Sequence, residues 1–350
     1  MFAILLLAAC GSSAPAQHDA PGEAATHDAS DARWVAYVGG YGGSIGWYSI
    51  DRATGALTML GSVPQAGASF LAWDDPPAHL YAVDESNDKV VAYAIDAATG
   101  ALTKLNEQSS GGSGPAHVTV SQGHVLVANY GDGAVAVLPI AADGSVQAAT
   151  QTLAAGAHAH EVVVQGGFAF VPCLGAQYVA QYTWDGTALT ANGHMMTAAN
   201  AGPRHLAFSA IAGYLVDETA STLMVLQPSG GQLSPLQTIT TLPAGFTGQN
   251  TGAEVVVSGS FVWTSNRGAD DLAVFNAAAD GRVTTVGHTP VGRTPRHFSI
   301  TPDAMHLLVA AQAGNTVMAY AIDHASGMPS PVGQATTVDQ PSFVGIAELP

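Results

Sequence analysis

The sequence predicts an all-β chain folded as a seven-bladed β-propeller, on three observations. A strand–turn–strand unit recurs seven times at a spacing of 44 to 49 residues, the period of a four-stranded blade. Each unit is followed by a Gly-containing turn and a short polar strand. Another short strand precedes every unit except the first, and one extra copy of it ends the chain. That extra copy is what a closed ring needs, because it supplies the strand that the first unit lacks.

In chain order the units begin at Tyr37, Tyr81, Leu126, Phe170, Tyr214, Val262 and Leu308. Each joins two Val/Ala/Tyr-rich runs through a polar or Gly-containing turn, the hairpin pattern. Aligning the turns sets Tyr41, Glu85, Tyr130, Leu174, Glu218, Arg267 and Gln312 in one column. The outermost strands are expected in DRATGALTML, DAATGALTKL, AADGSVQAA, TWDGTALTA, QPSGGQLSPL, NAAADGRVTTV and DHASGMPSPV, since short polar edges are tolerated there. The innermost strands are expected in AGASFLAW, GPAHVTV, HAHEVVV, GPRHLAF, TGAEVVV, TPRHFSI and QPSFVGI. Residues 342–349 should pair with the strand starting at Trp34 and close the ring. The expected organisation is one monomeric domain over residues 33–350.

Composition narrows the partners. Charged residues make up 10% of the chain and hydrophobic ones 47%, the reverse of a disordered composition. The 26 Asp and Glu outnumber nine Lys and Arg, giving a net charge of −17. Such a chain is repelled by nucleic acid and by anionic headgroups, so nucleic acid is discarded as a partner.

Residues 2–9 are apolar but too short to span a bilayer. They run into Leu7-Ala8-Ala9-Cys10 with no basic residue ahead of them. This segment resembles the lipobox of bacterial lipoproteins. The resemblance implies a signal peptide over 1–10, a lipid on Cys10 and export, with the anchor as the sole membrane contact. An ordinary secretory signal with a chance Cys is the alternative. Residues 11–32, rich in Ala, Ser, Asp, Pro and His, read as a flexible tether. The remaining Cys173 has no partner for a disulfide.

The starts of the inner strands converge at one mouth of the channel although they are far apart in sequence. That set holds His117, His158, His160, Arg204, His205, Glu254, Arg296 and His297. The turn column adds Glu85, Asn129, Tyr130, Glu218, Asn266 and Arg267. Three of only nine basic residues, Arg204, Arg267 and Arg296, fall in these columns. A guanidinium fork binds carboxylate or phosphate and stabilises an oxyanion; the bland alternative is structural ion pairing with Asp217, Glu218 and Glu254. His158 and His160 are expected on the same side of an extended segment. With His117, His205 or Glu161 they would hold a divalent metal, serve metal-free acid–base chemistry, or be plain loop residues. No Cys cluster, HExxH, Gly-rich phosphate loop or GxSxG elbow is present, and neither a metal nor a cofactor is expected.

GPRHLAF (202–208), DETASTLMV (217–225), AEVVV (253–257), TSNRGADDLAVF (264–275) and TPRHFSI (294–300) resemble the propeller lactonase family, with ANYGDGAVAVLPI (128–140) and HAHEVVV (158–164) in support. That family includes bacterial propeller-type 6-phosphogluconolactonases and a fungal carboxymuconate cycloisomerase. The resemblance implies a pocket built from the His of HxH, the Arg of GPRH, the Glu of the following turn and the Arg of NRG. Here these are His158 or His160, Arg204, Glu218 and Arg267. His160 or Glu218 would be the base, and Arg204 and Arg267 would hold an anionic lactone and its oxyanion. His117, His158, His205, Glu254, Asn266 and Arg296 would bind or support the substrate. The implied chemistry is water attack on a lactone, 6-phosphogluconolactonase-like, or its reverse as a cycloisomerisation. Where relatives often carry Asp after HxH, this chain has Cys173-Leu174-Gly175. Export also sits poorly with a phosphorylated sugar lactone, which is chiefly a cytoplasmic metabolite. A non-catalytic surface propeller that binds a ligand is the reading from another class.

Overall fold

The computed structural model describes residues 33–350. The signal peptide, Cys10 and the tether lie outside the described residues. Seven four-stranded antiparallel sheets form the ring. Blade I opens with Arg33–Gly40, and the inner strands of blades II to VII are Leu71–Trp73, Pro115–Ser121, Val163–Gln165, Pro203–Phe208, Gly252–Ser258 and Pro295–Ile300. The ring closes as expected: Pro341–Leu349 is the inner strand of blade I, paired from Arg33↔Leu349 to Gly40↔Pro341.

Each blade is buried on both faces, so its middle strands read as continuous apolar runs rather than alternating ones. Strand alternation still decides which neighbour a residue meets. Val35 and Tyr37 join the core between blades I and II, while Trp34, Ala36 and Val38 join that between blades VII and I. Seven such cores exist, one for each adjacent pair. A polar tie recurs beside them. The hydroxyls of Tyr37, Tyr81 and Tyr214 donate to the carbonyls of Gly100, Gly144 and Gly281 in the next blade. Trp263 Nε1–H donates to Gly327 in the same way. Those glycines have φ of +75°, +83°, +84° and +71°, a left-handed turn that glycine adopts without a Cβ clash.

One outer strand lies elsewhere than expected. In blade III the AADGSVQAA segment forms only an isolated bridge, Ile140↔Val146, and the edge strand is Gln151–Ala154.

The inner strands carry a recurrent β-bulge. Pairing register skips Ala116, Arg204 and Arg296, and Ser342 is skipped opposite Gly39 and Gly40; blade VI skips Ala253 and Glu254. A bulge bends its strand and re-aims the extra side chain. Here it points two successive residues toward the channel at different heights.

Candidate functional site

The bulges sort the channel residues into two levels. Ser69, Ala116, His160, Arg204, Arg296 and Ser342 line an upper cavity, with Glu85 at its side. The next residue of each blade gives a lower level: Phe70, His117, Glu161, His205, Glu254, His297 and Phe343. All seven border a second, larger cavity, whose remaining wall is mainly apolar. Phe70, His205 and His297 line both cavities, so the lower level is a septum across the channel.

The septum is held by rings and carboxylates. The Phe70 ring lies 4.0 Å from His117 and 4.7 Å from Phe343, and it stands edge-on to His205 and His297 at 5.9 and 5.4 Å. His205 Nδ1 lies 2.9 Å from Glu254 Oε2, and His297 Nε2 lies 3.4 Å from the same oxygen. His117 Nε2 is 3.8 Å from Glu161 Oε1, and the other oxygen of Glu161 accepts the Leu206 N–H at 2.6 Å.

Above it the arginines are fixed by backbone and carboxylate together. Glu218 Oε2 sits 3.0 Å from Arg204 Nε and 2.7 Å from Arg267 Nη2. Arg204 Nη1 donates to Ala253 O at 2.5 Å, and Arg267 Nη2 donates to Gly252 O at 3.0 Å. Arg296 donates to Tyr41 Oη at 3.1 Å and to Gln312 Oε1 at 3.4 Å, and Tyr41 donates to Glu85 at 2.9 Å. The strand-start and turn columns therefore meet at one mouth. Three guanidiniums and two carboxylates leave it a net positive charge on a chain of net −17, which favours an anionic ligand.

Burial controls protonation here. Desolvation, and then Arg267 and Arg296, lower Arg204 to about 9, so it stays cationic near neutrality. Desolvation pushes His117, His160 and His205 well below the usual 6.5, with the arginines or neighbouring histidines adding to it. His297 falls to about 4, burial outweighing the opposing pull of Glu254. The channel thus presents neutral imidazoles at pH 7. Burial raises Glu254, against the pull of His297 and Arg204.

The structure brings together Arg204, Glu218 and Arg267, and places His160, His205 and Arg296 in the same upper cavity. It separates others. His117 and Glu254 belong to the septum and face the lower cavity. His158 is exposed and has φ of +57°, so the two-residue alternation expected of HAH fails. Its ring stacks on Tyr130 at 4.4 Å, whereas His160 is buried and meets Tyr130 edge-on at 5.7 Å. Asn266 has no exposed surface. Its amide is hydrogen-bonded to Thr241, Asp271 and Asn250. Among the described residues no group of three or more His, Cys, Asp or Glu is arranged to hold a metal ion. Phe70 and Phe343 were missed as site residues, although aligning AGASFLAW and QPSFVGI with GPRHLAF puts both in the His205 column.

Comparison with known proteins agrees with the seven-bladed fold. The family described as "Lactonase, 7-bladed beta-propeller" matches residues 35–346. A 6-phosphogluconolactonase of Bacillus subtilis is 29% identical over 343 residues, 89% of this chain and 98% of that protein. One from Pectobacterium carotovorum is 31% identical over 249 residues, 67% of this chain and 75% of its own. The solved periplasmic gluconolactonase of Pseudomonas aeruginosa superposes with a TM-score of 0.86 at 30% identity, covering 91% of this chain and 100% of that one.

Proposed function

Because the chain belongs to the seven-bladed β-propeller lactonase family, we propose that it hydrolyses an anionic sugar or related lactone in the upper cavity. The observation that carries this reading is the convergence of Arg204, Arg267 and Arg296 with neutral imidazoles at one channel mouth. Hydrolysis needs an anchor for the substrate anion, a cation beside the carbonyl oxygen as it gains charge, and a base for the attacking water. Arg204 is well placed for the second task, because Glu218 and Ala253 O hold its fork in position. Arg296 lines the same cavity and supplies an anchor from blade VII, where Arg204 comes from blade V. Glu218 already bridges two guanidiniums, so its service is to hold them. The neutral imidazoles lining the cavity are the available bases.

The test is direct: purified full-length protein is offered a panel of phosphorylated and unphosphorylated sugar lactones and aromatic lactones, and acid release is followed. Turnover of at least one anionic member above the buffer rate is expected. No turnover across the panel would overturn the reading.

We further infer that Cys10 carries a lipid anchor outside the cytoplasm, on the strength of the Leu7-Ala8-Ala9-Cys10 segment. Cys10→Ser should move the protein from the membrane fraction to the soluble one or block its processing. A wild-type protein recovered from the cytosol with Met1 intact would refute this.

A further inference from the structure

Three imidazoles line the upper cavity, and their hydrogen-bond inventories differ. A general base needs a bare ring nitrogen facing the reaction and, for orientation, a partner on the other nitrogen. His297 has neither nitrogen to spare: Nδ1 faces the Val344 N–H at 3.5 Å, and Nε2 faces Glu254 at 3.4 Å. His160 has an unpartnered, buried Nδ1 and no carboxylate beside it. His205 alone has a carboxylate on Nδ1, Glu254 at 2.9 Å, and an unpartnered Nε2. A carboxylate accepts from Nδ1–H, which fixes the tautomer and leaves the Nε2 lone pair bare.

The geometry points to His205, oriented by Glu254, as the general base that activates the hydrolytic water. This rests on the lactonase reading above. Glu254 is itself fixed: its backbone N–H donates to Ser265 Oγ at 3.0 Å, and its Oε1 accepts the Val255 N–H at 3.0 Å. The steps balance without a further reactant. Water oxygen bonds to the lactone carbonyl carbon as His205 Nε2 takes a water proton, and the carbonyl oxygen becomes an oxyanion beside Arg204. The oxyanion collapses, the ring C–O bond breaks, and Nε2–H returns its proton to the leaving alkoxide. The product is the open hydroxy acid. Glu254, 2.9 Å from Nδ1, steadies the transient imidazolium. The Phe70 ring lies 5.9 Å from the His205 ring and at 75° to it.

The groups around His205 set the pH range. His117 and His160 face it at 5.8 and 5.0 Å between ring centroids, Glu254 holds Nδ1, and burial with Arg204, Arg296 and Arg267 lowers its pKa well below 6.5. A base works unprotonated, so activity should fall only as pH drops through that lowered value, placing the acid limb of kcat/KM below pH 6.5.

The experiment compares His205→Gln, Glu254→Gln and His160→Gln on whichever lactone the wild type turns over best. His205→Gln should lower kcat by about 100- to 10,000-fold, the range of a lost general base, with KM within threefold and no acid limb. Glu254→Gln can offer an amide N–H to Nδ1 and drive the proton to Nε2, so kcat should fall by a similar factor. His160→Gln should act mainly on KM, with kcat down less than tenfold. In the wild type, ring nitrogen-15 shifts at pH 7 should show His205 as Nδ1–H with a bare Nε2. An Nε2–H tautomer overturns the assignment however the variants fold. So does His205→Gln with kcat within threefold of wild type, or an acid limb lost only in His160→Gln, and in either case the lactonase reading stands. A wild type inert on every lactone removes both.

Discussion

Truncation after Asp339 is expected to abolish cooperative folding. The lost segment is the inner strand of blade I, paired with Arg33–Gly40 along nearly its whole length. Phe343, Ala347 and Leu349 pack into the core between blades I and II, and Val344 and Ile346 into that between VII and I. Burying Phe343, Val344, Ile346 and Leu349 contributes roughly 1.5–3 kcal/mol each. Their sum matches the whole net stability of an ordinary domain, about 5–15 kcal/mol. Removal also strips the inner partner from Arg33–Gly40 and opens the ring. Thermal unfolding followed by circular dichroism checks this. A truncated protein that melts in one sharp transition within about 5 °C of wild type would show that the closure contributes little.

Arg204→Lys and Arg267→Lys should each lower turnover of an anionic lactone by roughly 100-fold or more, the scale of one lost oxyanion donor. Lysine keeps the charge but presents a single ammonium. It cannot reproduce the geometry by which Arg204 meets Ala253 O and Glu218 together, or Arg267 meets Gly252 O and Glu218. Because the charge beside Glu218 persists, the melting temperature should move by only a few degrees. Both arginines are nonetheless largely buried ion-pair partners, and breaking a buried pair costs about 3–5 kcal/mol. Activity and melting temperature must therefore be measured on the same variants. A collapse of melting temperature with kcat per folded molecule unchanged would make the arginines ties between blades V and VI and nothing more.

Much of this protein was legible before folding. Seven hairpins at blade spacing fix the blade count, since each unit must bury both faces against neighbours of its own kind. The orphan copy at QPSFVGI fixes the closure, because the first unit had no inner strand of its own. The convergence of Arg204, Glu218 and Arg267 was also readable, as repeats that superpose in space bring equal columns to one mouth.

Other features were decided only by the tertiary structure. Columns in a sequence carry no height, and the bulge at Arg204 and Arg296 sends adjacent residues to separate levels. Arg204 thus enters the upper cavity while His205 enters the septum. The left-handed backbone at His158 turned one histidine of HAH outward, a conformation that no side-chain pattern announces in a non-glycine residue. Asn266 shared a column with the candidate site, yet its amide is hydrogen-bonded to Thr241, Asp271 and Asn250. The pairing of His205 with Glu254 joins residues 49 apart on adjacent blades. Periodicity names the blade each comes from. Only the packed ring sets the distance, and with it which imidazole keeps a bare nitrogen.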